Sequence, residues 1–161
     1  MLFRSIRGGK GNDIITSDGA YDVLFGGEGD DTLTGGADND ELTGGAGADT
    51  FNIDAGEDSI SDLSTTDILK VSSGAKVNAN NISAFVATAA TENSGTANLY
   101  AGSGNATIDL RLSSAGAYNI FSGSGTDTLK GSNQNDTITI LNAGEADNDS
   151  IDGHTGDDIL Q

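Results

Sequence analysis

From Gly8 to Lys70 the chain divides without a gap into seven nine-residue units: GGKGNDIIT, SDGAYDVLF, GGEGDDTLT, GGADNDELT, GGAGADTFN, IDAGEDSIS and DLSTTDILK. The sixth place is aspartate in every unit, as Asp13, Asp22, Asp31, Asp40, Asp49, Asp58 and Asp67. The eighth is always apolar: Ile15, Leu24, Leu33, Leu42, Phe51, Ile60 and Leu69. Only 20 of 161 residues are aspartate, so this phasing is not a by-product of acidity. So short a repeat constrains the fold strongly. One turn and one strand cannot bury an inward side chain alone, whereas a stack of such units can.

Residues seven to nine of most units alternate polar, apolar, polar, the pattern of a very short strand with one side chain pointing inward. The first six residues are turn-forming. Their glycines fall where the backbone needs positive φ or close approach to an ion. Two units then make one coil, with a strand on each side and the apolar residues meeting in a thin core. The predicted fold is an all-β parallel solenoid.

That coil sorts the aspartates into two columns. Asp13, Asp31, Asp49 and Asp67 should lie on one edge, and Asp22, Asp40 and Asp58 on the other. Left alone, such columns are like charges roughly 5 Å apart, one strand spacing. A divalent cation between adjacent turns reverses the sign of that interaction. Turn carbonyls aimed at the ion help to supply the roughly six to eight oxygens that Ca2+ prefers, while Mg2+ demands tighter geometry and releases water reluctantly.

Composition agrees with a hard cation as partner. There are 24 glycines, no proline or tryptophan, and a formal net charge of −18. Low hydrophobicity with high charge ordinarily predicts disorder, the expected state without metal. Charge of this size argues against nucleic acid or anionic membranes. There is no cysteine to form a disulfide, and no apolar run near 18 residues for a membrane span. The start, MLFRSIRGGKG, lacks the apolar stretch of a cleavable signal peptide. Both ends fall in or near repeats, so the sequence is expected to be a piece of a longer protein.

The pattern GGxGxDxUx, with U a large apolar residue, resembles the repeats-in-toxin (RTX) calcium-binding nonapeptide. Units one, three and five match it fully. The resemblance implies a right-handed parallel β-roll, a β-helix solenoid in which several Ca2+ ions sit between alternate turns, held by the turn aspartate and turn carbonyls. Carried over by position, the strongest sites are Gly8, Gly9, Gly11 and Asp13; Gly26, Gly27, Gly29 and Asp31; and Gly44, Gly45, Gly47 and Asp49. The other edge departs from the pattern. SDGAYD, with Asp22, lacks three glycines. GGADND has Gly35, Gly36 and Asp40 but carries Asp38 at the fourth place, and IDAGED, with Asp58, lacks the leading pair. Binding there is expected to be weaker or absent. Unit seven has no glycine and is expected to close the roll, with Asp67 as its last ligand.

Three segments follow: 8–70, the calcium-binding roll; 71–121, where the pattern fades; and 122–161, a second block of calcium-type repeats. The middle is rich in Ala, Ser, Thr and Asn and reads either as a flexible linker or as a coil without metal ligands. Spacing favours the coil. Leu99 and Ile108 are nine apart, as are Ile120, Leu129 and Ile138, and then Ile151 and Leu160. In the second block Asp127, Asp136, Asp149 and Asp158 hold the ligand position. Asp147, Asn148 and Asp157 read as solvated turn residues.

Catalysis would need a converging acid, base or nucleophile. The one histidine, His154, stands at a glycine position, and no cysteine or second histidine exists to build a triad or transition-metal site. Parallel β-helices do host polysaccharide-active enzymes, but the acids here sit at repeat spacing, and the few basic residues, Arg111 and Lys130 among them, form no cluster for an anionic sugar. The module is expected not to be an enzyme. The rival class is an adhesive or surface-layer segment, whose partner would be a second copy or a cell surface. An ice-binding ladder of Thr16, Thr34 and Asn52 beside Thr32 and Thr50 is interrupted by Ile14, Ile68 and Lys70. The family resemblance further implies a secreted or cell-surface bacterial protein, exported by type I secretion and folded by calcium outside the cell.

Overall fold

The computed structural model describes residues 4–141 and 148–161. Among these every regular element is a strand, and every strand pairing is parallel. The principal sheet has nine strands and runs the length of the molecule. In spatial order they are β1 (Arg4–Lys10), β3 (Asp22–Glu28), β5 (Glu41–Ala46), β7 (Glu57–Ile60), β9 (Lys76–Ile82), β12 (Thr96–Ala101), β14 (Tyr118–Phe121), β16 (Thr137–Thr139) and β18 (Ile159–Leu160). Facing its first half is a five-stranded sheet of β2 (Ile14–Thr16), β4 (Thr32–Thr34), β6 (Thr50–Ile53), β8 (Ile68–Val71) and β11 (Glu92–Asn93). A four-stranded sheet of β10 (Ala84–Val86), β13 (Thr107–Asp109), β15 (Thr128–Lys130) and β17 (Ser150–Asp152) serves the second half. The molecule is a parallel β-solenoid consistent with a β-roll.

The register follows the nine-residue period doubled. Ile15, Leu33, Phe51 and Leu69 are successive partners on one side, and Leu24, Leu42 and Ile60 on the other. All are buried and meet in one core. Each large apolar side chain so buried contributes about 1.5–3 kcal/mol. Because a unit offers only one such residue, stability accumulates along the stack.

Two features differ from the sequence reading. Several strands of the principal sheet are longer than three residues: β1 and β3 each span seven and run on through the paired glycines. Gly9 pairs with Gly27 and Gly27 with Gly45, since without a Cβ the coils keep strand spacing into the turn. The stack also does not end at unit seven, because β8 pairs with β11, Lys70 beside Glu92 and Val71 beside Asn93.

Beyond Val71 the coil continues over the apolar residues Val77, Phe85, Leu99, Ile108, Tyr118 and Ile120, all buried. The step between stacked turns, 18 residues in the first block, varies beyond it: 21 from Ala106 to Asp127, 18 from Tyr118 to Asp136 and 22 from Asp127 to Asp149. On the five-stranded sheet Thr32 pairs with Thr50, and Asn52 donates to the Thr34 hydroxyl at 3.2 Å. Ile14 stands exposed in the same row.

Candidate metal centre

The turns of units one, three and five are built by what their glycines lack. Gly27 and Gly29 lie at φ of 127° and 125°, where an L side chain is strained. A Cβ on Gly27 would also run into the Gly9 carbonyl of the preceding coil. At the first place the obstacle is different. A Cβ on Gly8, Gly26 or Gly44 would occupy the space of Asp13, Asp31 or Asp49 Oδ2 in its own turn. Each first glycine is thus a cradle for one carboxylate oxygen. Gly35 and Gly153 cradle Asp40 and Asp158 in the same way.

The aspartates form the two expected columns. Asp31 Oδ1 accepts the N–H of Asp13 at 2.8 Å, Asp49 Oδ1 that of Asp31 at 2.8 Å, and Asp67 Oδ1 that of Asp49 at 3.0 Å. On the opposite edge Asp40 Oδ1 accepts the Asp22 N–H at 2.7 Å, and Asp58 Oδ1 that of Asp40 at 2.9 Å. One oxygen of each of these carboxylates, from Asp31 onward on one edge and from Asp40 onward on the other, therefore clamps its coil to the one before. The other is different: Oδ2 of Asp13, Asp22, Asp31, Asp40 and Asp58 is buried with no protein partner. An unsatisfied buried polar atom costs on the order of 1–3 kcal/mol, and more when charged.

Electrostatics record the same cost. Burial pushes Asp58 up to about 7 and Asp49 up to about 6, against the opposing pull of the N–H each accepts. Burial raises Asp40 as well, with the Asp22, Asp38 and Asp54 carboxylates adding to it. Among the described residues no three acidic or histidine side chains converge on one point. A cation here would draw on paired carboxylates and on the carbonyls of glycine turns. Such an all-oxygen set suits a hard ion.

Sequence reasoning made the two edges unequal, yet orphaned oxygens lie on both. The clamp that buries each carboxylate depends on coil register, which both edges share, and not on glycine content.

Other turns close without an ion. Ser64 N–H donates to Asp67 Oδ2 at 2.7 Å. The Asp62 carboxylate caps the N–H groups of Gly44 and Gly45 at 3.1 and 2.8 Å. Gly123 N–H reaches Asp127 Oδ2 at 3.1 Å. In the next turn Ser132 donates both its N–H (2.5 Å) and its hydroxyl (3.0 Å) to Asp136 Oδ2, while Asp136 Oδ1 takes the Tyr118 N–H. Asp149 and Asp158 keep the clamp, accepting from Asp127 and Asp136 at 2.7 and 2.9 Å. Asn148 and Asp157 are exposed, and Asp147 lies outside the described residues.

A second ladder went unread in the sequence. At the fifth place Asn12 Oδ1 accepts from Asp30 N–H and Asp30 Oδ1 from Ala48 N–H, both at 2.9 Å. Asn39, Asn105 and Asn135 repeat this at 3.0 Å. For all but Asn105, which precedes Ala106, the signal was the short amide or acid one residue before the conserved aspartate.

Arg111 forks onto Asp109 at 2.9 and 2.7 Å, with Lys130 at 3.6 Å from the same carboxylate. Arg111 holds Asp109 below the usual carboxylate range. His154, in the left-handed region at φ 73°, lines a shallow cavity of about 410 Å³ with Val86, Asp109, Arg111 and Leu112.

A family model for the RTX calcium-binding nonapeptide repeat matches the chain in four copies, over residues 5–24, 25–60, 119–139 and 143–161. No curated protein and no solved structure matches it.

Proposed function

The chain belongs to the RTX calcium-binding nonapeptide repeat family, and from that premise we propose that it is a calcium-folded module of a secreted or cell-surface bacterial protein, without catalytic activity of its own. The observation that carries this reading is the set of buried, unpartnered Oδ2 atoms on Asp13, Asp22, Asp31, Asp40 and Asp58. A folded chain does not ordinarily leave repeated anionic oxygens buried and unpaired.

In this reading those aspartates and Asp49 hold the ions together with carbonyls of the adjoining turns. Gly8, Gly26, Gly35 and Gly44 leave room for the carboxylates, and Gly9, Gly11, Gly27, Gly29, Gly36, Gly45 and Gly47 let the turns approach. Asp67, Asp127 and Asp136 already have both oxygens bonded and serve as clamps. Asp158, in its Gly153 cradle, is the candidate ligand of the second block, with Asp149 a clamp beside it. Bound Ca2+ would supply positive charge between like-charged turns, so its binding free energy becomes folding free energy. Calcium is scarce in bacterial cytoplasm and plentiful outside, so the acidic chain would stay expanded during export and fold on emergence.

Calorimetric titration of the metal-free chain with Ca2+, and separately with Mg2+, tests the assignment. Several Ca2+ ions should bind with the large negative heat-capacity change of coupled folding, and Mg2+ should give no such signal. Absence of Ca2+ binding would end the reading.

A further inference from the structure

We propose that the outer face of the nine-stranded sheet, centred on Asn119 and Tyr100, binds a neutral, extended β-linked oligosaccharide lying along the stack. The face is set apart first by charge. In a chain of net charge −18, the paired outward row from Ser59 through Asn78, Asn98 and Asn119 to Thr137 carries no charged residue of its own, and at one end Asn78 donates to Glu57 of the flanking Lys76–Glu57 ion pair at 2.8 Å. Beside it Tyr100 pairs with Phe121, their rings stacked 4.5 Å apart and inclined by 11°.

The amides form a ladder. Asn98 donates to Asn78 Oδ1 at 2.8 Å, and Asn119 donates to Asn98 Oδ1 at 2.8 Å. Asn98 itself is only 7% exposed, so its neighbours hold it fixed. Beyond the ladder, the Tyr100 hydroxyl and Asn119 Oδ1 have no bonding partner among the described residues. The two adjacent strands that carry them lie about 4.8 Å apart, close to the rise per residue of an extended β-linked glycan. Sugars of that kind alternate equatorial hydroxyls with apolar C–H faces. The amides answer the first, and the aromatic step answers the second. Groups already locked in place lose little entropy on binding.

The size of the face favours this occupant over a protein. Five strands by two side-chain ranks cover roughly 250 Å² at sheet spacings, well below the ~800 Å² per partner of a stable protein interface. Its neutrality in so acidic a molecule argues against an anionic polymer. The proposal needs the folded stack but no particular set of metal ligands.

Affinity electrophoresis in Ca2+-containing gels tests it. The probes are a soluble neutral β-1,4-glucan, its carboxymethylated derivative and no polymer, with folding checked by circular dichroism. The neutral glucan should retard the protein and the carboxymethylated one should not. Tyr100→Ser should weaken retardation about tenfold or more, and Tyr100→Phe, which keeps the ring stack, by about two- to fivefold. Thr34→Ser, on the opposite sheet, should change nothing. Folded protein that the neutral glucan does not retard, retardation only by the anionic polymer, or a Tyr100→Phe variant as strongly retarded as its parent would each overturn the proposal. So would a mass that rises with concentration through this face.

Discussion

Asp31 accepts the backbone N–H of Asp13 through Oδ1 at 2.8 Å, while its Oδ2 stays buried without a protein partner. The two oxygens of one carboxylate thus do separate jobs. The first keeps consecutive coils in register, and the second is available to a cation shared between them.

Asparagine keeps the Oδ1 clamp and removes the charge. Asp31→Asn should therefore lower apparent Ca2+ affinity by about tenfold or more, consistent with loss of a charged ligand. Asp40→Asn, on the other edge, should do nearly the same, because Asp40 Oδ2 is equally orphaned. Asp136→Asn should raise the Ca2+ midpoint less than Asp31→Asn does, and only through its lost Ser132 bonds, since Ser132 and Tyr118 already satisfy that carboxylate. Calcium titrations of the three variants, followed by ellipticity, decide the matter. An Asp136 variant as impaired as Asp31→Asn would contradict the division.

The Ser132 turn has its own signature. Ser132→Gly deletes the hydroxyl bond to Asp136 Oδ2 at 3.0 Å. Bonds to charged groups are worth about 1.5–3 kcal/mol, so urea unfolding in saturating Ca2+ should show a loss of that order. Unchanged stability would mean that the backbone N–H alone closes this turn.

Protonation should act in opposite directions with and without metal. Burial raises Asp49 to about 6 and Asp58 to about 7, above the ~3.9 of an unfolded aspartate. Folded protein therefore binds more protons than unfolded between about pH 4 and 7, and metal-free stability falls as pH rises through that window. Calcium needs the deprotonated carboxylates, so in its presence stability should rise with pH over the same range. Thermal melts at pH 5 and pH 8, with chelator and with Ca2+, should show the two trends crossing. Parallel trends would mean that these aspartates do not hold the ion.

Leu99 tests whether the glycine-poor middle shares the same cooperative core. It is fully buried between Ala79 and Ile120. Leu99→Ala should cost about 2–5 kcal/mol and shift the whole unfolding transition. A variant that melts only a separate phase would make this region an independent unit.

The aspartate columns and the paired core rows were legible because a strict period of nine, doubled, dictates which residues stack. Asp31 and Phe51 could be placed without coordinates. The closing of turns by Ser64 and Ser132 was not, because a serine near an aspartate satisfies it in one local conformation and faces solvent in another. The Asn78–Asn98–Asn119 ladder was hidden for another reason. Its members stand 20 and 21 residues apart, so no fixed period marks them. Glycine counts report how closely turns approach, whereas burial of Asp22, Asp40 and Asp58 comes from coil register.

Far-UV circular dichroism in chelator, then through a Ca2+ titration with Mg2+ as control, tests the central claim most directly. The account predicts a largely disordered spectrum that turns cooperatively to β-structure with Ca2+ and not with Mg2+. A full β spectrum in chelator at pH 8, unmoved by Ca2+, would contradict it and leave the stack standing on its apolar core alone.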